Sequence, residues 1–108
     1  MGVFEKYVDA WDTKDEDAMS AITHEDFMYL TLDSLVAKSG LFREFREGWS
    51  GRTWANNDFK LIIETEDIMV MTFSEMDENG KKAFRTEVCL LEDGKIWRSS
   101  SKAVLVPQ

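Results

Sequence analysis

The sequence predicts an α+β roll, with three N-terminal helices packed on a strongly curved, mainly antiparallel sheet that closes into a cone. Three observations carry that reading. Apolar residues recur at helical spacing only in the first half of the chain. From Asp58 onward the chain is rich in β-branched, aromatic and aliphatic residues. Asn79-Gly80 and Asp93-Gly94 supply the positive φ angles of tight hairpins, so the later strands should pair antiparallel. The 108 residues are expected to form a single domain.

Each element has a local reason. Phe4, Tyr7, Val8 and Trp11 follow i, i+3, i+4, i+7, which makes residues 3–11 an amphipathic helix with Glu5, Lys6 and Asp9 on its polar side. Asp12-Thr13-Lys14-Asp15 breaks it and offers an N-cap to a short second helix, whose buried side is Ala18, Met19 and Ile22. The two helices can form an antiparallel lid. Residues 27–33 have strand length and composition, with the odd-numbered side the more polar. Beyond Ser39-Gly40, helical spacing returns at Leu41, Phe42, Phe45 and Trp49, and Gly48 and Gly51 supply a stop. Four strands follow at 59–64, 68–76, 82–91 and 95–106. Strands this long twist and curl, and a curled sheet closed by helices encloses a conical space.

Charge and composition narrow the function classes. With 21 acidic and 13 basic residues the net charge is -8, which repels nucleic-acid backbones and anionic lipid heads. The longest apolar runs fall far short of the ~20 residues that cross a bilayer. No apolar signal core follows Met1, and Lys6 occupies the place where a myristoylation motif wants Ser or Thr. One cysteine, Cys89, and one histidine, His24, give neither an internal disulfide nor zinc-ligand spacing, so a cytoplasmic protein without metal or cofactor is expected. His24 falls in a polar connection, where exposure is the default, and Met69 and Met71 suit an irregular core better than metal ligation. Ser99, Ser100 and Ser101 have neither a nucleophile elbow nor a paired histidine.

Candidate chemistry centres on residues 82–91. Alternation puts Arg85, Glu87 and Cys89 on one face and Phe84, Thr86, Val88 and Leu90 on the other. The second face has the composition of a core. Alternation therefore leaves two placements open: Arg85 and Glu87 in solvent, pairing with Glu75 or Arg98, or Glu87 lining a cavity. In the last strand, Trp97, Ser99 and Ser101 share one face. Tyr7 belongs to a core stripe, yet its hydroxyl needs a partner when buried, which Glu87 or Asp33 would supply. Asp33 shares a face with Tyr29 and Thr31, and is suited either to opening a turn or to acting as a base.

The order of elements, with "KYVDAWDTKDEDAMSAI", "KSG" and "LEDGKI" at their places, resembles the nuclear transport factor 2-like superfamily. This is the cystatin-like α+β roll that includes ketosteroid isomerases and SnoaL-like polyketide cyclases. Against a ketosteroid isomerase, Tyr7 in Lys6-Tyr7-Val8 falls on the oxyanion-hole tyrosine and Ser39-Gly40 on the Ser-Gly before the third helix. Glu87 falls on the acid that an apolar site keeps protonated for hydrogen-bond donation. The general base falls on Thr31, which cannot take a carbon-bound proton near pH 7, so Asp33 becomes the candidate base.

The resemblance thus implies Tyr7, Glu87 and Asp33 as acid/base residues, with Trp11, Tyr29, Thr31, Trp97, Ser99 and Ser101 lining the pocket. The expected ligand is a small, mostly apolar molecule with a carbonyl or hydroxyl group. It also implies a homodimer formed through the sheet. The alternative expectation is a non-catalytic binding or interaction module, its interior filled by four tryptophans and seven phenylalanines.

Overall fold

The structure is a computed structural model in which residues 2–30, 35–40, 58–76 and 82–105 are described. Two helices, α1 (Val3–Thr13) and α2 (Glu16–Ala21), precede six strands: β1 (Thr23–Leu30), β2 (Leu35–Ala37), β3 (Lys60–Glu64), β4 (Ile68–Met76), β5 (Lys82–Glu92) and β6 (Lys95–Leu105). The strands form one sheet in the order β2-β1-β6-β5-β4-β3. β1 runs parallel to β6, and every other neighbouring pair is antiparallel. The predicted third helix at 41–49 lies outside the described residues.

α1 forms where the helical spacing of apolar residues predicts it, and buries Tyr7 and Ala10. Its N-cap, Gly2, has no side chain to cap with. Glu64 on β3 does this instead: its Oε1 accepts the Phe4 N–H at 2.8 Å, and a Cβ on Gly2 would collide with the same carboxylate. A negative charge there also opposes the positive end of the helix dipole. At the other end Lys14 adopts the left-handed conformation, and the Asp15 N–H reaches back to the Ala10 carbonyl at 3.0 Å. Asp15 then caps α2 by accepting the Ala18 N–H at 3.0 Å, as the Asp12–Asp15 break suggested.

The first strand starts at Thr23, four residues earlier than its predicted start, because tertiary pairing with β6 holds an otherwise polar segment extended. His24 therefore lies within a strand and is half-buried, its Nδ1 accepting the Asp26 N–H at 3.0 Å. Thr23 is buried and donates its hydroxyl to the Met19 carbonyl at 2.7 Å. The Lys38 ammonium donates to the Thr23 carbonyl and to Glu25, each at 3.0 Å, tying β1 to the chain beyond β2. Between β5 and β6, Asp93 and Gly94 both take positive φ angles, the requirement of the predicted tight hairpin.

The helices cover one face of the sheet, and that face carries the core. Met69, Met71, Cys89, Leu91 and Ile96 pack there against Tyr7, Ala10, Met19, Ile22 and Phe27. Met69 and Met71 are fully enclosed, and each such burial contributes about 1.5–3 kcal/mol. The face of β5 that reads as core in sequence is the outer one: Phe84 is 47% exposed and Leu90 44%, while Glu87 is only 8% exposed. Apolar composition thus did not decide which face the helices cover. Among the described residues no helix is long and apolar enough to cross a membrane.

Replacing Glu64 by Ala removes the cap that α1 borrows from β3. The expected result in urea unfolding followed by tryptophan fluorescence is a loss of about 1 kcal/mol. An unchanged midpoint would mean that the helix end is satisfied some other way.

Candidate functional site

Period-two alternation along β5 delivers three chemically active side-chain types to the helix-covered face in a row: Arg85, Glu87 and Cys89. β6 lies alongside and sets Ser101 opposite Glu87 and Ser99 opposite Cys89. β4 supplies an apolar neighbour to each, with Phe73, Met71 and Met69 opposite Arg85, Glu87 and Cys89 in turn. The result is a file of polar groups set into an apolar surface.

At the sealed end of the file, the Cys89 thiol donates to Glu87 Oε2 at 3.6 Å and lies 3.6 Å from the Ser99 hydroxyl. Ser99, like Glu87, is buried. α1 brings Tyr7 over this group. Its ring meets Trp11 edge-on at 6.2 Å and Phe59 edge-on at 5.7 Å, and Phe59 continues to Phe73 at 5.1 Å. Burial pushes the Tyr7 phenol well above its usual pKa, and the nearby charges of Glu87 and then Cys89 add to this, while a hydrogen bond with Trp11 opposes it. The Cys89 thiol is also raised well above its usual value, first by burial and then by Glu87. Both groups stay protonated at neutral pH, and each is able to donate a hydrogen bond.

Toward the half-buried end, Arg85 Nη1 donates to Ser101 Oγ at 2.7 Å, and the Tyr29 hydroxyl shares a hydrogen bond with the same Ser101 oxygen. Burial raises the Tyr29 pKa, opposed by its hydrogen bond with Ser101 and by Arg85.

The structure brings Tyr7, Glu87, Trp11, Tyr29, Ser99 and Ser101 to the same side of the sheet. β6 shifts register between the Leu90–Arg98 and Leu91–Ile96 pairs, so Trp97 is the extra residue of a bulge and lies under the Arg98 guanidinium at 3.9 Å. Ile96 and Ser99, three residues apart, are both buried, so strict alternation breaks at this bulge. Thr31 and Asp33 lie outside the described residues. Cys89 and Arg85 are additional members of the site. Their signal was the shared parity with Glu87, which brings both inward as soon as Glu87 is inward. Among the described residues no group of three or more His, Cys, Asp or Glu side chains could hold a metal ion.

No family model matches this sequence, and no curated protein sequence matches it. Solved structures do. A candidate polyketide cyclase from Sinorhizobium meliloti superposes with a TM-score of 0.71 at 15% identity, over 93% of this chain and 93% of that one. A candidate ketosteroid isomerase from Kribbella flavida gives 0.73 at 12% identity, over 98% and 78%. An NTF2-like protein of unknown function from Cytophaga hutchinsonii gives 0.66 at 13%, over 94% and 96%. At these identities the likeness shows the fold alone: the chain has an α+β architecture shared with these proteins, a cystatin-like fold.

The raised pKa values predict an alkaline limit to stability. Below about pH 8 both Cys89 and Tyr7 are protonated whether the chain is folded or not, and they impose no pH dependence. Above about pH 8.5 the unfolded chain releases the Cys89 proton, and near pH 10 that of Tyr7, while the folded chain retains both. Unfolding then releases protons, so stability falls as pH rises, by ~1.4 kcal/mol per pH unit for each group fully titrating. Urea unfolding across that range should show the decline, and Cys89→Ala should flatten its first part. A decline that Cys89→Ala leaves unaltered would contradict the burial of the thiol.

Proposed function

We propose that the helix-covered face is the binding site of a SnoaL-like pocket protein whose ligand is a small, mostly apolar molecule carrying a carbonyl or hydroxyl group. The observation that carries this reading is the buried Glu87 carboxyl group, flanked by the Cys89 thiol and within the electrostatic reach of the Tyr7 phenol. A fold does not seal a carboxyl group against methionines and aromatic rings for stability, because an apolar side chain of similar volume there is often as stabilising or more so. Its value lies in what it can do to a bound molecule.

Tyr7 and Glu87 are the polar groups that orient the ligand. A phenol held protonated donates to a carbonyl oxygen, and a second donor beside it shares the charge that develops there. Each such donor is worth ~2.7–4 kcal/mol where an oxyanion forms in a water-free site. This is the acid/base chemistry of isomerases, dehydratases and cyclases. Asp33 is the candidate base, since Thr31 cannot serve. The likeness to a candidate ketosteroid isomerase and a candidate polyketide cyclase supports this class of chemistry at the level of fold.

A second observation favours an added role for the outer face. Phe84, Val88, Leu90, Leu30 and Val104 are all exposed large apolar residues, and they lie on neighbouring strands of the sheet. We read this face as the surface on which two copies pair. In the non-catalytic reading this pairing is the main function of the protein.

Prodan, a fluorescent naphthalene ketone, provides a neutral probe. It should bind the protein with a blue-shifted emission. Tyr7→Phe and Glu87→Gln should each weaken it about tenfold, the value of one hydrogen bond near 1.4 kcal/mol. Absence of binding, or parent-level affinity in both variants, would remove the basis for the pocket reading. Separately, light scattering at micromolar concentration should give a dimer, and Val88→Asp should convert it to a monomer of unchanged thermal stability. A monomeric parent protein would eliminate the pairing role.

A further inference from the structure

Resting on that reading of the inner face as a binding site, we propose that Arg85, Tyr29 and Ser101 form an acid-recognition subsite. The bound molecule then carries a carboxylate at one end of its apolar body, with its carbonyl or hydroxyl group at the other.

Arg85, Tyr29 and Ser101 come from three adjacent strands, β5, β1 and β6, and are joined side chain to side chain. Arg85 Nη1 donates to Ser101 Oγ at 2.7 Å, and the Tyr29 hydroxyl bonds the same oxygen. Neighbouring strands are ~4.8 Å apart, so these groups span a width suited to a single small acid. A guanidinium on the outer face of β5 would be solvated without cost. Alternation instead puts it on the helix-covered face, with Phe73 and Ala103 as its register partners. Its planar fork of N–H donors matches a carboxylate in a two-pronged geometry, and the phenol and serine hydroxyls supply further donors at its edge.

Burial divides the file of polar groups into two ends. Glu87, Cys89 and Ser99 are buried, whereas Arg85, Tyr29 and Ser101 are half-buried. Glu87 Oε2 meets the Cys89 thiol, one direction along β5, while Arg85 meets Ser101 and Tyr29 across the sheet. A molecule lying along the file therefore has its uncharged polar group at the sealed end and its anionic group at the end with the cation.

Two probes of one shape isolate the charge: 2-naphthoate and 2-naphthamide, each followed by its own fluorescence. The parent protein should bind the acid about tenfold more tightly than the amide, in line with a charge-assisted pair. Arg85→Gln should abolish that preference, the acid losing about tenfold more affinity than the amide, and Tyr29→Phe should reduce the preference severalfold. Tyr7→Phe, at the end where neither probe has a polar group, should keep the ratio. Circular dichroism of each variant checks the fold, and Tyr29→Phe preserves the test if Arg85→Gln fails to fold. Equal binding of acid and amide by the parent protein overturns the proposal, as does a ratio that both variants leave unchanged. If prodan binds and neither naphthalene probe does, the acid subsite fails while the binding reading stands. If no probe binds, both fall.

Discussion

The constraint on which the rest of the structure depends is the burial of Glu87 beneath α1. β5 has two faces to offer, and the helices cover the one with Arg85, Glu87 and Cys89, leaving Phe84, Val88 and Leu90 outside. Taken alone that choice is unfavourable. A carboxyl group removed from water costs several kcal/mol unless it is protonated or well partnered, and an exposed apolar row gains nothing. The strands around β5 answer to this choice. β6 sets hydroxyls opposite Glu87 and Cys89, β4 sets two fully enclosed methionines alongside, and α1 delivers a phenol rather than a phenylalanine. The hydroxyls and the phenol would be liabilities in an ordinary core. Together they fit the recognition role proposed for the inner face.

The inner face is chemically graded. At the sealed end, burial keeps Tyr7 and Cys89 protonated, and the Cys89 thiol directs its hydrogen to Glu87 Oε2. At the half-buried end Arg85 provides permanent positive charge, because its pKa lies beyond any environment a protein provides. The aromatic chain of Trp11, Tyr7, Phe59 and Phe73 runs alongside and offers edges and faces to an apolar body. Helix α1 is held over this surface from a distance by Glu64, so the cap of one helix and the position of the phenol are linked through β3.

Much of the fold was legible in the sequence, and the failures have physical causes. α1 and α2 could be read because their apolar residues follow one period and Asp15 stands where a cap is needed. The β5–β6 hairpin could be read because Asp93-Gly94 accepts positive φ on both residues. β2 is only three residues long, and no period shows in so few. The parallel pairing of β1 with β6 joins segments about seventy residues apart, and local propensity carries no trace of such a partner. The bulge at Trp97 lets Ile96 and Ser99, of opposite parity, both be buried, which alternation cannot foresee. Most consequential was the choice of face on β5. Both faces hold apolar residues, and the composition rule favours the wrong one. Such failures of local rules are expected at sites kept for function. The placement of Tyr7 with Glu87 came from the resemblance of the whole chain to a known fold, and periodicity by itself left it open.

The central claim is that the Glu87 carboxyl group is enclosed, and its most direct test is solvent paramagnetic relaxation. Protein labelled with carbon-13 at the glutamate carboxyls, with the Glu87 signal assigned by its loss in Glu87→Gln, is titrated with a neutral gadolinium chelate. The exposed carboxyls of Glu66 and Glu92 should broaden steadily while that of Glu87 remains sharp. A Glu87 signal that broadens in step with those two would place it in bulk water and contradict the account.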